Sequence, residues 1–153
     1  MKTKDAIKAK PKQGTLQIVG IRKDGSREIL KEHNLIVDNA VNILRRAISQ
    51  QNFILSHLVL GTDTTGEPSP TATALHNQVL AIAFSEVTYP TSDSVKFTAS
   101  VDYEVGNGLI FTEAGLSAEA APTAEKLFAV KRHGGVMKND ELILEYNWTI
   151  VFQ

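Results

Sequence analysis

Apolar and polar residues alternate regularly in two segments of the chain, residues 95–103 and 141–152. A period of two places successive side chains on opposite faces of a β-strand, so each segment is predicted to be a strand with one buried face. The second segment is the longer and contains the only tryptophan of the chain. The predicted core residues from these two strands are Phe97, Val101, Tyr146, Trp148 and Ile150.

The period of the pattern changes after residue 38. Five apolar residues recur there at helical spacing: Ala40, Val41, Leu44, Ala47 and Ile48. They lie on one face of an α-helix, and Asp38 or Asn39 is suited to cap its first turn. We therefore predict one helix, residues 39–51, with Leu44 in the core.

Turn signals divide the rest of the chain into further short strands. The pair Asp24-Gly25 is typical of a β-hairpin turn, because both residues tolerate positive φ. We predict a helical turn at residues 74–80, a strand over residues 81–89 and a turn at residues 133–135. The other predicted strands are residues 15–22, 27–37, 53–60, 109–116 and 126–132.

About eight strands with one apolar face each have to bury those faces against one another. Two antiparallel sheets packed face to face do this most directly. The predicted fold is therefore mainly β: an antiparallel, jelly-roll-like β-sandwich with one α-helix near residues 39–51.

Charge is distributed unevenly along the 153 residues, although the net charge is only -1. The first twelve residues hold five lysines and one aspartate (+4), and the remainder holds 11 basic and 16 acidic residues (-5). A basic arm on an acidic body favours contact with an acidic neighbour, such as another copy of the chain. We divide the chain into an arm, residues 1–13, and a β-sandwich domain, residues 14–153. The predicted assembly contacts of the arm are Lys2, Lys4, Lys8, Lys10 and Lys12.

The sequence contains no cysteine, which excludes disulfides, a thiolate nucleophile and Cys-ligated zinc. No apolar run approaches the roughly 20 residues of a transmembrane helix. No apolar segment follows the N-terminal lysines as it would in a signal peptide. We therefore expect a protein that is made in a cytoplasm and does not insert into a membrane.

The sequence has no G-x-S-x-G elbow, no P-loop and no H-E-x-x-H motif. Its four histidines are widely separated, and His57, within an apolar strand, is expected to be the most buried. A paired-carboxylate glycosidase is a minor alternative, because four acids lie in or beside predicted strands: Glu86, Asp102, Glu104 and Glu113. We expect no enzymatic activity and no metal or other cofactor.

Glu113 stands among apolar residues of a predicted strand and has two interpretations. As a buried acid it would accept hydrogen bonds from loop backbone and hold the turn at residues 106–108. As an exposed acid it would lie on the solvent face of its strand. The register of the strand favours neither interpretation.

Residues 61–73 are rich in Thr, Pro, Gly and Ser, which is typical of a surface loop. Asp63 and Glu67 are candidate Ca²⁺ ligands, but the spacing of an EF-hand loop is missing. Packing against a partner is the role we favour for this loop. The candidate contact residues are Thr62, Asp63, Thr64, Thr65 and Glu67.

Four segments follow one another in order: EHNLIVDNAVNILRRAI (32–48), LVLGTDTTGEPSPTATAL (58–75), VGNGLIFTEAGL (105–116) and ELILEYNWTIVF (141–152). In this order they resemble a class of small tailed-bacteriophage structural proteins, found among tail-fibre, baseplate and related virion components. The resemblance implies a β-sandwich that docks on its neighbours, with the N-terminal arm reaching across. The chain departs from the class at Asp63, where a second glycine is commoner, and at residues 71–73, where an aspartate often stands. These departures argue against a shared ligand of the loop.

From the resemblance we expect a structural component of a tailed-phage virion, in the tail, baseplate, fibre-attachment or neck region. Its expected partners are copies of itself and other virion proteins. Nucleic acid is not expected, because no aromatic residues accompany Arg45 and Arg46. Two alternatives stay open: a capsid decoration protein, and a carbohydrate-binding module for a host-surface glycan. The module would need exposed aromatic rings, and the only tyrosines are Tyr89, Tyr103 and Tyr146.

Overall fold

The computed structural model of the chain describes residues 11–35, 54–65, 74–122 and 126–152. These residues form nine β-strands. In chain order the strands are β1 (Pro11–Arg22), β2 (Arg27–Leu35), β3 (His57–Gly61), β4 (Gln78–Ala83), β5 (Glu86–Thr88), β6 (Ser94–Val101), β7 (Ile110–Ser117), β8 (Leu127–Met137) and β9 (Leu142–Phe152). The predicted helix, residues 39–51, lies outside the described residues together with its core residue Leu44.

The strands form two antiparallel sheets. The five-stranded sheet has the order β2-β1-β9-β6-β5, and the four-stranded sheet has the order β4-β3-β7-β8. One apolar cluster draws buried side chains from both sheets. The fold is therefore the β-sandwich that the alternation predicts, with nine described strands where about eight were expected. In the part of the chain that the structure describes, no helix is long and apolar enough to cross a membrane.

The core is centred on β9, which lies between β1 and β6. Trp148 of β9 lies opposite Leu16 of β1 on one side and Phe97 of β6 on the other. Four side chains of β9 are at most 1% exposed: Leu144, Tyr146, Trp148 and Ile150. The predicted core residues within the described ranges are all buried: Phe97, Val101, Tyr146, Trp148 and Ile150. The facing sheet contributes Leu58, Leu60, Phe111 and Leu116.

The turn at Asp24-Gly25 joins β1 to β2, as predicted. Gly25 has a φ of 84°, a conformation that glycine adopts without steric cost. The backbone N–H of Ser26 donates to Oδ1 of Asp24 at 2.8 Å, and the N–H of Gly25 donates to the carbonyl of Arg22 at 2.9 Å. Local turn chemistry is therefore sufficient to set this hairpin.

The chain between residues 74 and 89 differs from its prediction. The helical turn expected at residues 74–80 is absent, and β4 begins at Gln78 instead. The single strand expected over residues 81–89 is two strands, because β4 pairs with β3 whereas β5 pairs with β6 in the other sheet. The chain changes sheets at residues 84–85, where the N–H of Phe84 donates to Ser56 O and that of Ser85 donates to Thr98 O.

The turn predicted at residues 133–135 is a bulge inside β8. The register passes from the pair Phe111–Val136 to the pair Glu113–Arg132, so three residues of β8 lie opposite one residue of β7. Gly134 takes a positive φ of 82° there, which glycine tolerates. The strand therefore continues to Met137, where the sequence pattern predicted that it ends at Arg132.

The turn at residues 106–108 is held by a buried lysine, Lys138. Its Nζ donates to three oxygens: Tyr103 O at 3.1 Å, Asn107 Oδ1 at 2.8 Å and Asn139 O at 2.8 Å. Three acceptors match the three N–H donors of an ammonium group. Burial lowers the pKa of Lys138. The contact that one interpretation assigned to Glu113 is thus made by this lysine.

The most buried histidine is His133, so the expectation for His57 was wrong. His133 is 2% exposed, and its Nδ1 donates to Gly134 O at 2.7 Å. Its Nε2 then accepts from the hydroxyl of Tyr146 at 3.1 Å. Burial lowers the pKa of His133 from 6.5 to about 4, and burial also raises the pKa of Tyr146.

Acid is expected to destabilise the fold through His133. Between pH 6.5 and about 4 the unfolded chain binds a proton that the folded chain does not, so the free energy of unfolding falls as the pH falls. The loss is about 2 kcal/mol at pH 5 relative to pH 7. Urea unfolding gives the free energy of unfolding at pH 7 and at pH 5. The difference between the two values should be smaller in His133→Gln than in the wild type, by about 2 kcal/mol. The control His57→Gln should retain it, and equal pH dependence in wild type and His133→Gln would refute the assignment.

Candidate functional site

The predicted contact loop leaves the four-stranded sheet after β3 and returns to it at β4. Residues 66–73, which include Glu67, lie outside the described residues. We call the described parts of the loop, residues 61–65 and 74–77, the loop base. The candidate contact residues within the loop base are Thr62, Asp63, Thr64 and Thr65.

The two halves of the loop base are hydrogen-bonded to each other through Thr62 and Asn77. The N–H of Thr62 donates to the carbonyl of Asn77 at 3.2 Å. The side-chain amide of Asn77 donates to the hydroxyl of Thr62 at 2.9 Å. The start and the end of the loop are therefore held together just beyond the last β3–β4 pair.

Glu113 of β7 anchors the second half of the loop base. Its carboxyl group is fully buried and accepts from the backbone N–H groups of His76 at 3.2 Å and Asn77 at 2.9 Å. The interpretation as a buried acid that binds loop backbone is confirmed, with residues 74–77 as the loop. Gly61 lies opposite Glu113, and a Cβ at Gly61 would overlap the carboxyl oxygen. Only glycine leaves room for the acid at this pair.

The carboxylate of Asp63 accepts three side-chain hydrogen bonds in and beside the loop base. Its Oδ2 accepts from the hydroxyl of Thr65 at 2.6 Å, from Nδ1 of His76 at 2.8 Å and from Nη2 of Arg132 at 2.6 Å. These hydrogen bonds, led by the one from Thr65, hold the pKa of Asp63 well below its usual range. The carboxylate thus stays ionised through the neutral and mildly acidic range and keeps its ion pair with Arg132.

Arg132 joins the loop base to β8. Its side chain is 10% exposed, and Nη1 donates to the backbone carbonyl of Asp63. The hydroxyl of Thr112 on β7 donates to the same carbonyl. Within the described ranges, Nε of Arg132 is buried and has no hydrogen-bond partner. The guanidinium and the hydroxyl therefore fix the backbone of Asp63 to two strands of the sheet.

This geometry opposes the Ca²⁺ interpretation of the loop. The guanidinium of Arg132 lies 2.6 Å from the carboxylate of Asp63, so a positive charge already occupies the position that a cation would take. Among the described residues, no group of three or more His, Asp or Glu side chains is placed to hold a metal ion. The hydrogen bonds of Arg132 and Glu113 hold the backbone of Asp63, His76 and Asn77 in place.

Other residues singled out from the sequence lie apart from the loop base. Lys2, Lys4, Lys8 and Lys10 are outside the described residues, and Lys12 lies in β1. Of the minor glycosidase candidates, Glu86, Asp102 and Glu104 are exposed, whereas Glu113 is committed to the loop base. Of the tyrosines, Tyr89 is 77% exposed, Tyr103 is half-buried and Tyr146 is buried.

Two members of the loop base network, His76 and Arg132, were not identified from the sequence. Both are single charged or titratable residues without a motif, and they lie 56 positions apart in the chain. Only the antiparallel pairing of β7 with β8 brings Arg132 beside Asp63. No local pattern carries that information.

The fold and the loop base define a small antiparallel β-sandwich that fixes residues 61–65 and 74–77 to its four-stranded sheet. Comparison of the chain with protein-family models, with curated proteins and with solved structures found no match.

Proposed function

We propose that this chain is a structural component of a tailed-phage virion and that it assembles through its N-terminal arm and the surfaces of its β-sandwich. The observation that carries the proposal is the loop base. Its backbone is fixed by buried groups, Glu113 and Arg132, while Thr64 and Thr65 remain exposed. A loop that is already ordered loses less conformational entropy when it docks on a partner. The order of the four sequence segments supports a virion protein as the class.

The arm supplies the second contact in this proposal. Its charge of +4 opposes the -5 of the remainder, so the arm of one copy is attracted to the body of the next. Because β1 begins at Pro11, residues 11–13 of the predicted arm belong to the sheet, and residues 1–10 lie outside the described residues. Strand β1 itself offers no free edge to a neighbouring sheet, because it already pairs with β2 and β9.

Deleting residues 1–10 is expected to leave a folded protein that no longer assembles. The deletion spares every residue of β1, so the sheet is retained. Electron microscopy of the purified wild type at low salt should show rings or sheets, which the deletion variant should not form. Circular dichroism and thermal unfolding establish that the variant is folded.

A full-length variant with Lys2, Lys4, Lys8 and Lys10 replaced by glutamine separates charge from chain length. We expect this variant to assemble as poorly as the deletion, and wild-type assembly to weaken as salt is added, because exposed charges are screened. If the deletion variant assembles normally, the arm is not the assembly contact. A glycan array with reproducible binding would favour the carbohydrate-binding module instead.

A further inference from the structure

Three of the four strands at the edges of the sandwich carry features that oppose pairing with another chain. β5 is only three residues long. β8 is interrupted by the bulge at residues 133–135 and carries two positive charges next to it. β2 carries four charged side chains among its nine residues: Arg27, Glu28, Lys31 and Glu32.

In the part of the chain that the structure describes, the fourth edge strand, β4, carries none of these features. Its sequence is QVLAIA, six residues without charge, proline or glycine. The irregular register with β3 is confined to its first residues, and Leu80 to Ala83 pair regularly. Within the described ranges, no strand pairs with its other side. An edge of this kind presents backbone N–H and C=O groups to a further strand.

An open depression of about 440 Å³ lies beside β4. Val79, Leu80 and Ala81 line one side, and Ala121 and Pro122 line the other. Val79 is 40% exposed, so it stands at the rim of the depression. The side-chain amide of Gln78 donates to Ala120 O at 2.7 Å, which holds the two sides together. The lining suits the apolar side chain of an incoming strand.

We propose that β4 pairs with β4 of a second copy of this chain, antiparallel across a two-fold axis. The two four-stranded sheets would then form one continuous sheet. The absence of charge on β4 favours a second copy as its partner, because two uncharged strands meet without like-charge repulsion. Each copy would also place apolar side chains in the depression of the other. The lysine-rich arm would instead put charged side chains against an apolar lining. An antiparallel pair of identical strands is also self-complementary, as a two-fold interface requires.

Val79→Lys tests the pairing, with Val87→Lys as the matched control. Both valines are exposed to a similar extent, 40% and 43%, but Val87 lies on the short edge strand β5. At a salt concentration that screens the arm and suppresses its rings or sheets, sedimentation velocity should give wild type and Val87→Lys twice the chain mass of 16.7 kDa. Val79→Lys adds a positive charge to β4 of both copies, at the rim of the apolar depression, and is expected to raise the dimer dissociation constant about tenfold or more.

If Val79→Lys does not fold, hydrogen exchange in the wild type tests whether β4 pairs between two copies. In the wild type, the amides of β4 should exchange more slowly as the protein concentration rises, whereas those of β5 should not change. A wild type that is monomeric at all concentrations, or equal effects of the two lysine variants, would overturn the proposal. So would dissociation of the dimer when residues 1–10 are deleted, which would assign the contact to the arm. The dimer does not rest on the proposed virion function, because it is measured on the purified chain alone.

Discussion

Replacing Glu113 by glutamine is expected to lower the free energy of unfolding by about 2–4 kcal/mol and to release the loop base from β7. One carboxyl oxygen becomes an NH₂ group, which cannot accept the backbone N–H that now points at it. Since both backbone donors, on His76 and Asn77, reach a fully buried group, water cannot replace the lost acceptor.

Urea unfolding measures the loss of stability, and hydrogen exchange at His76 and Asn77 measures the release of the loop base. The matched control is Glu86→Gln, because Glu86 is an exposed acid on β5. Its effect should stay within about 0.5 kcal/mol. Equal effects of the two substitutions would show that Glu113 does not anchor the loop. A loss of stability without faster exchange at His76 and Asn77 would give Glu113 a role in packing only.

Replacing Trp148 by alanine is expected to cost about 3–5 kcal/mol, a large part of the stability of an ordinary domain. Trp148 is 1% exposed on the central strand β9, with Leu16 and Phe97 opposite it. Both neighbouring strands are held by the rest of the sheet, so the core cannot collapse into the space that the indole leaves.

Trp148→Phe is the matched control and should lose much less. Among the described residues, Nε1 of Trp148 is buried without a hydrogen-bond partner, and phenylalanine removes that donor while filling most of the space. Circular dichroism is the suitable probe for these unfolding curves, because Trp148 is the only tryptophan and both variants lack its fluorescence. An alanine variant that loses under about 1 kcal/mol would contradict the central position of this side chain.

Local chemistry was enough to predict several parts of the fold. Asp24-Gly25 sets a hairpin because its own backbone preferences and the Asp24 side chain close the turn. The alternation that predicted β6 and β9 identified the buried faces of both strands, since side chains on a strand alternate between its two sides. These features depend only on residues adjacent in the chain.

Other parts of the fold depend on the neighbouring strands. The pattern of residues 81–89 predicted one strand, yet the chain changes sheets at residues 84–85. Ser56, next to β3, and Thr98, on β6 of the other sheet, accept the two consecutive N–H groups. Residues 133–135 read as a turn, yet the pairing with β7 carries the strand past them as a bulge. A pattern along one segment holds no information about which strand lies beside it.

The candidate site divides in the same way. The composition of residues 61–73 predicted a surface loop, and the apolar neighbours of Glu113 left its burial as one of two interpretations. Only the tertiary structure decided between them, because burial of Glu113 depends on β7 lying between β3 and β8. The sequence by itself thus determined a β-rich sandwich and the excess of lysine in its first twelve residues. The partners of Asp63, the anchor of the loop and the unprotected edge at β4 follow from contacts between residues distant in the chain, which a local pattern does not encode.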